Sequence, residues 1–161
     1  MSSQILASTL LSALLVGSSL ASARASEIDL DEGVLAALSV TAETLYRQGV
    51  LQYQKGDLEA AIALYTQALT LDPDAVTIYS ARAGALGQLE EYEAAISDYS
   101  TAIALDETLA AAYGGRGLAR SLKGEINAGV QDLWIAAQLF REQDKIDQYF
   151  ETLAIIEGIA P

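Results

Sequence analysis

The chain has 161 residues and carries 22 acidic against 9 basic side chains, a formal net charge of −13. It contains neither histidine nor cysteine, which removes the usual near-neutral general base, the thiol nucleophile, the commonest zinc ligands and any disulfide. A surface this acidic repels nucleic acid and anionic headgroups; it serves solubility or a basic partner.

At the amino terminus, Ile5 to Ala23 runs without a charge and is dominated by Leu, Ala and Ser. Ala23-Arg24-Ala25 then offers small residues at the spacing a signal peptidase reads, and Ser26-Glu27 turns the composition acidic. These features predict a signal peptide over residues 1–25, cleaved after Ala25. Cleavage removes Arg24 and no acidic side chain, so the mature chain holds 8 basic against 22 acidic groups, a net charge of −14. The run is also near the ~20 residues that span a bilayer, so retention as a membrane anchor is the alternative. Residues 26–41 form an acidic segment in which Asp31 to Val40 predicts a short helix, with Val34, Leu35 and Leu38 placed to cover the open face of the first repeat.

From residue 42 the chain repeats itself at a constant offset of 34. Ala61, Ala95 and Gly129 align, as do Tyr65, Tyr99 and Leu133, then Ala68, Ala102 and Ala136, then Leu71, Leu105 and Leu139. Small residues where helices touch and bulky ones between predict stacked helical hairpins over 42–75, 76–109 and 110–143. In the first hairpin, Leu58, Ile62, Tyr65 and Leu69 make one apolar stripe. The closest helix approaches are expected at Gly49 against Ala61 and at Ala83 against Ala95. Gly56 supplies a positive φ between the two helices, Asp57 caps the second, and Asp72-Pro73-Asp74 ends the repeat. After the third hairpin, Asp144 is expected to cap a helix over 144–158 whose stripe is Ile146, Tyr149, Phe150, Leu153 and Ile156, with Asp147, Glu151 and Glu157 toward solvent.

Residues 56–75, GDLEAAIALYTQALTLDPDA, resemble the second half of a tetratricopeptide repeat. The second repeat keeps Tyr79, Ala83, Tyr92, Ala95, Ile96, Tyr99, Ala102, Ile103 and Leu105, with Glu107 in place of Pro73. The third keeps Tyr113, Gly117, Gly124, Ile126, Ala136 and Leu139, with Gly129 and Arg141 at the alanine and proline columns. The resemblance implies an all-α fold: a right-handed α-solenoid of three helix-turn-helix repeats closed by a C-terminal capping helix. It also implies a concave, partner-binding face on the first helices: Tyr46, Val50 and Tyr53; Thr77, Ser80, Gly84 and Gln88; Ala111, Gly114, Leu118 and Ser121. Family members that grip the acidic tails of heat-shock chaperones use lysine, arginine and asparagine at these columns, and this chain has none there. An apolar or aromatic helix or an extended peptide is the expected occupant, unless residues 26–41 fill the groove themselves. Glycines 114 and 115 inside a helix mark a place where something approaches closely.

Two charged pairs recur at one spacing. Arg82 and Asp98 are sixteen apart, as are Arg116 and Asp132, whereas repeat one has Gln48 and Leu64 at the matching places. Arginine on a first helix facing aspartate on a second fits a bidentate ion pair, and both pairs read as structural clasps rather than ligand sites. Gly114-Gly115-Arg116-Gly117 lies inside a first helix and is no phosphate-binding loop. The clusters Asp29-Leu30-Asp31-Glu32 and Glu90-Glu91-Tyr92-Glu93 read as solvated helix ends. No catalytic residue, metal or cofactor is therefore expected. The expected function is a noncatalytic interaction scaffold, periplasmic or secreted (the thylakoid lumen in a photosynthetic organism), that holds a protein or peptide and aids assembly of a complex. The alternative keeps the leader as an anchor and serves photosynthetic or other membrane complexes; only then is a membrane a partner.

Overall fold

The computed structural model describes residues 40–159. The expected leader, and the expected Asp31–Val40 helix apart from Val40 itself, lie outside the described residues. Val40 precedes the first helix and is exposed.

Among the described residues all regular structure is α-helical: α1 (Ala42–Gln54), α2 (Leu58–Leu71), α3 (Val76–Gln88), α4 (Tyr92–Leu105), α5 (Ala110–Lys123), α6 (Ile126–Glu142) and α7 (Ile146–Ile159). The first helices α1, α3 and α5 start at the same column of successive repeats, and each packs on its own second helix, α2, α4 and α6. Each second helix also meets the next first helix, and α1 touches α3 as α3 touches α5. The result is a two-layer solenoid whose last hairpin is covered by α7 packed on α6.

The turns follow from backbone chemistry. Gly56, Glu90 and Gly124, which share one column, hold φ of 83°, 62° and 97°, and the amide just after each closes back five residues, as Asp57 N does to the Gln52 carbonyl at 3.0 Å. Glu90 takes this conformation without glycine's freedom, a local strain of roughly 1–2 kcal/mol. The Asp57 side chain accepts from Ala60 N at 3.1 Å, and Thr41 caps α1 by accepting from Thr44 N at 3.1 Å.

The core is built on the small-residue columns. Ala61, Ala95, Ala68, Ala102 and Ala136 are fully buried, and Tyr65 and Leu133 are the largest fully buried side chains. The tyrosine column packs in two ways. A Cβ on Gly49 would lie 2.5 Å from Tyr65 Cε1, so Tyr65, and not Ala61, fills the slot that Gly49 opens in its own hairpin. Tyr99 meets Ala83 at the matching place, and its ring instead occupies the slot at Gly115 in the next repeat, where a Cβ would lie 2.7 Å from Cε1. The close approach marked by the adjacent glycines is therefore made by the chain's own Tyr99. Gly117 and Gly129 cross tightly in the third hairpin, with a Cβ on Gly117 reaching 2.8 Å from the Gly129 carbonyl oxygen.

Leu71 and Leu105 align but are exposed. Two details differ from the sequence reading. Asp144 does not cap α7: it holds φ of 56° in a tight turn whose next amide, Lys145 N, donates to the Phe140 carbonyl at 2.9 Å. The α7 stripe is rotated, with Thr152 and Ile156 buried and Tyr149 and Leu153 half-buried, while Ile146 and Phe150 face outward.

Candidate interaction surface

Side chains of the first helices line three hollows in a row. The first, about 380 Å³, is bounded by Val50, Tyr53, Tyr65, Ser80 and Gly84. Gly84 leads into the second, about 180 Å³, with Gln88, Tyr99, Gly115, Leu118 and Leu122. Leu118 and Leu122 open onto the third, about 450 Å³, completed by Ile126, Ile155 and Ile159. Shared walls make one trough, and among the described residues no charged side chain lines any of its hollows. Gln88 Nε2 donates to the Tyr53 hydroxyl, bridging α1 and α3 across it. The Tyr65 and Tyr99 phenols are each pushed up to about 12 by burial, so both stay neutral hydrogen-bonding groups at ordinary pH.

Of the eleven expected surface residues, Val50, Tyr53, Ser80, Gly84, Gln88 and Leu118 line this trough. Tyr46 is half-buried with its ring 5.9 Å from that of Tyr65. Gly114 faces its own hairpin, since a Cβ there would touch Ala136 Cβ at 3.7 Å. Thr77 and Ala111 are exposed but line none of the three hollows. Ser121 borders the third hollow, yet it is buried at the crossing with Gly129 and its hydroxyl has no hydrogen-bond partner among the described residues. The residue that reaches the trough is its neighbour Leu122, which holds the Gln88 column in the third repeat. Ile126, Ile155 and Ile159 were missed because they come from the start of α6 and from α7, outside the first-helix columns.

The two charged pairs lie on the other side of the first helices. Arg82 Nε and Nη2 donate to Asp98 at 2.7 and 2.8 Å, and Arg116 Nε and Nη2 donate to Asp132, both at 2.8 Å. Each arginine reaches one repeat further: Arg82 Nη1 donates to Thr66 Oγ1 at 3.0 Å and Arg116 Nη1 to Ser100 Oγ at 3.2 Å. Each clasp thus joins a first helix to the second helices on both sides. The hydrogen bonds to Asp98 and Asp132 hold the Arg82 and Arg116 guanidinium groups above their ordinary value, against the opposing effect of burial. Arg120 Nη1 adds a third donor to Asp132 at 2.7 Å. A hollow of about 290 Å³ beside the first clasp is lined by Arg82, Asp98 and Thr66, already hydrogen-bonded to one another, and by Ser97. Among the described residues no group of three or more acidic side chains is arranged to hold a metal ion, and no helix is long and apolar enough to cross a membrane.

A TPR repeat model matches residues 49–89 and a tetratricopeptide repeat model residues 76–109. The chain carries tetratricopeptide repeats. Among solved structures, the second tetratricopeptide domain of human RPAP3, in complex with the HSP70 peptide SGPTIEEVD, is 28% identical with a TM-score of 0.64, over 72% of this chain and 94% of that one. The TPR2AB domain of yeast Sti1, in a complex with pHSP90, is 25% identical with a TM-score of 0.71, over 74% of this chain and 46% of that one. The type III secretion translocator chaperone SycD of Yersinia enterocolitica shares the tetratricopeptide fold at 21% identity and a TM-score of 0.71, over 81% of this chain and 93% of its own. Among curated proteins nothing matches the chain.

Proposed function

We propose that this chain is a noncatalytic interaction scaffold, exported from the compartment of its synthesis, that seats an apolar helix or extended segment of a partner protein in the trough of its first helices and so aids assembly or maintenance of a complex. The observation that carries this reading is the lining: three linked hollows walled mainly by Tyr, Leu, Ile, Gly, Ser and Gln and, among the described residues, by no charged group. Apolar walls with a few polar atoms favour burial of apolar side chains with limited hydrogen-bond selection. The peptide held by the RPAP3 domain ends Glu-Glu-Val-Asp. Among the described residues the trough lining offers such an acidic end no charged side chain, and Arg82 and Arg116 are held in clasps on the other side of the first helices. The fitting partner has other chemistry.

A photo-crosslinker placed in turn at Val50, Gly84 and Leu118 in the native host tests this, with Leu71 as the exposed control outside the trough. The same partner band is expected from the three trough positions and not from Leu71. Equal labelling from Leu71, or none from the trough, refutes the reading. The mass of the native chain tests export: a start at Ser26 supports a cleaved leader, and retention of residues 1–25 favours the anchored alternative.

A further inference from the structure

The third hollow is the largest of the trough and is not made by the repeats alone. Because α7 packs on α6 and not side by side with α5, a gap stays open between Leu118 and Leu122 on one wall and Ile155 and Ile159 on the other. Leu122 is 65% exposed, Leu118 38% and Ile126 37%. Single exposed apolar residues are ordinary, but side chains gathered around one depression form a docking face.

The edge of that face is acidic. Glu90, Glu91 and Glu93 flank the Gln88 and Tyr92 wall, Glu125 precedes Ile126, and Glu157 precedes Gly158. Two cations reach this edge: Lys123 is held by Glu93 at 3.3 Å and by Glu125 at 3.0 Å, and Arg120, which also donates to Asp132, comes within 4.0 Å of Glu125. Five carboxylates against Lys123 and Arg120 leave this rim at −3 beside a floor without charged side chains among the described residues. A second copy brings the same sign to the rim, and residues 26–39 carry Glu27, Asp29, Asp31 and Glu32 and no basic residue. The fitting occupant brings the opposite charge on either side of an apolar stripe.

We infer that the carboxy-terminal hollow of the trough seats a cationic amphipathic helix of a partner protein, with Leu or Ile side chains at i, i+4 and i+7 against Leu118, Leu122 and Ile159 and flanking Lys or Arg facing Glu90, Glu91, Glu125 and Glu157. This deepens the proposed function and rests on it: it gives the partner segment a charge and a place in the trough. Exposed charges attract over about 10 Å at 0.1 M salt, so binding weakens as salt rises.

The test uses the full chain and a fluorescein-labelled 18-residue helical peptide of leucine and lysine in amphipathic order. Two control peptides have every lysine changed to glutamate, or the same residues scrambled. Anisotropy titrations in low and high salt should show the lysine helix binding at least about tenfold more tightly than either control. Leu122→Gln with Ile159→Gln should weaken it about tenfold, and Glu90→Gln with Glu125→Gln should lower both affinity and salt dependence, all with unchanged helicity. Leu71→Gln, on the exposed end of α2 outside the trough, should change nothing. Equal binding of the scrambled or glutamate peptide, absence of binding, or indifference to the Leu122 and Ile159 changes overturns the inference. Loss on Tyr53→Ala alone also overturns it, placing the helix in the first hollow and leaving the proposed function standing; indifference to every trough variant removes both.

Discussion

Arg82→Ala separates a clasp from a ligand site. It deletes two hydrogen bonds to Asp98 and one to Thr66, and leaves Asp98, only 7% exposed, with no other hydrogen-bond partner among the described residues. Removing one member of a buried pair costs roughly 3–5 kcal/mol, and the fifth of the Arg82 side chain that remains in water moves the expectation to about 3 kcal/mol. Arg116→Ala should cost less, about 1.5–2 kcal/mol, because Arg120 still donates to Asp132. With a urea m-value of about 2 kcal/mol/M for this size, the midpoint falls by about 1.5 M for Arg82→Ala and by less than about 1 M for Arg116→Ala. Replacing Arg82 and Asp98 together by leucine should restore most of the loss, since no bare charge is then buried. Circular dichroism at 222 nm follows the unfolding. Hydrogen exchange should show protection lost first in α1 and α2, because the Thr66 bond ties repeat one to repeat two. An Arg82→Ala variant within about 1 kcal/mol of the parent, or an Arg116→Ala variant losing as much as Arg82→Ala, refutes the reasoning.

Gly115→Ala pushes a methyl group to 2.5 Å from Tyr99 Oη and should destabilise by about 1–2 kcal/mol after the helix-propensity gain, measured by urea unfolding; Tyr99→Leu in the same chain should recover most of it. In alkali, the folded state keeps protons on Tyr65 and Tyr99 up to about pH 12, whereas the unfolded chain releases them near pH 10. The stability tied to these phenols is fully present below pH 10 and is lost as pH rises through 10 to 12. The Tyr99 shift alone corresponds to roughly 2–3 kcal/mol. Absorbance at 295 nm should show two of the eight tyrosines ionising last, together with loss of helix.

The repeats were legible because one physical task recurs: Ala68, Ala102 and Ala136 sit at the same helix crossing, and only a small side chain fits there. The clasps were legible because both members of each pair appear together and vanish together in repeat one. Their third members were not, since Thr66 and Ser100 are hydroxyls of a kind that lines any exposed helix, and only geometry shows an arginine reaching them. The slip from Leu122 to Ser121 is one residue, yet one residue turns a helix by about 100°, enough to exchange a trough wall for a buried crossing. The purpose of Gly115 was hidden for another reason. Alignment gives Tyr65 and Tyr99 one column, but Gly49 and Ala83 decide between two ring positions, and that choice depends on residues sixteen away on either side.

The shape of the trough's wide end traces to a single departure from the period. Asp72 and Asp106 close the turns between repeats: Asp72 accepts from Asp74 N at 3.3 Å, and Asp106 accepts from the amide and hydroxyl of Thr108 at 2.9 and 2.7 Å. Those hydrogen bonds hold Asp106 below the usual carboxylate range, the Thr108 hydroxyl contributing most. The third repeat puts Phe140 in that column, which offers no acceptor, so the second helix does not stop. α6 runs 17 residues where α2 and α4 run 14. The chain then reverses through the tight left-handed turn at Asp144, of the kind that elsewhere joins the two helices within a hairpin. A helix entered through that turn packs on the one just left, and it buries Thr152 and Ile156 in a register the repeats do not use. It covers α6 but does not close against α5. The same change that ends the repetition therefore keeps Leu118 and Leu122 uncovered and brings Ile155 and Ile159 to face them, so the capping helix builds a wall of the trough while it seals the core.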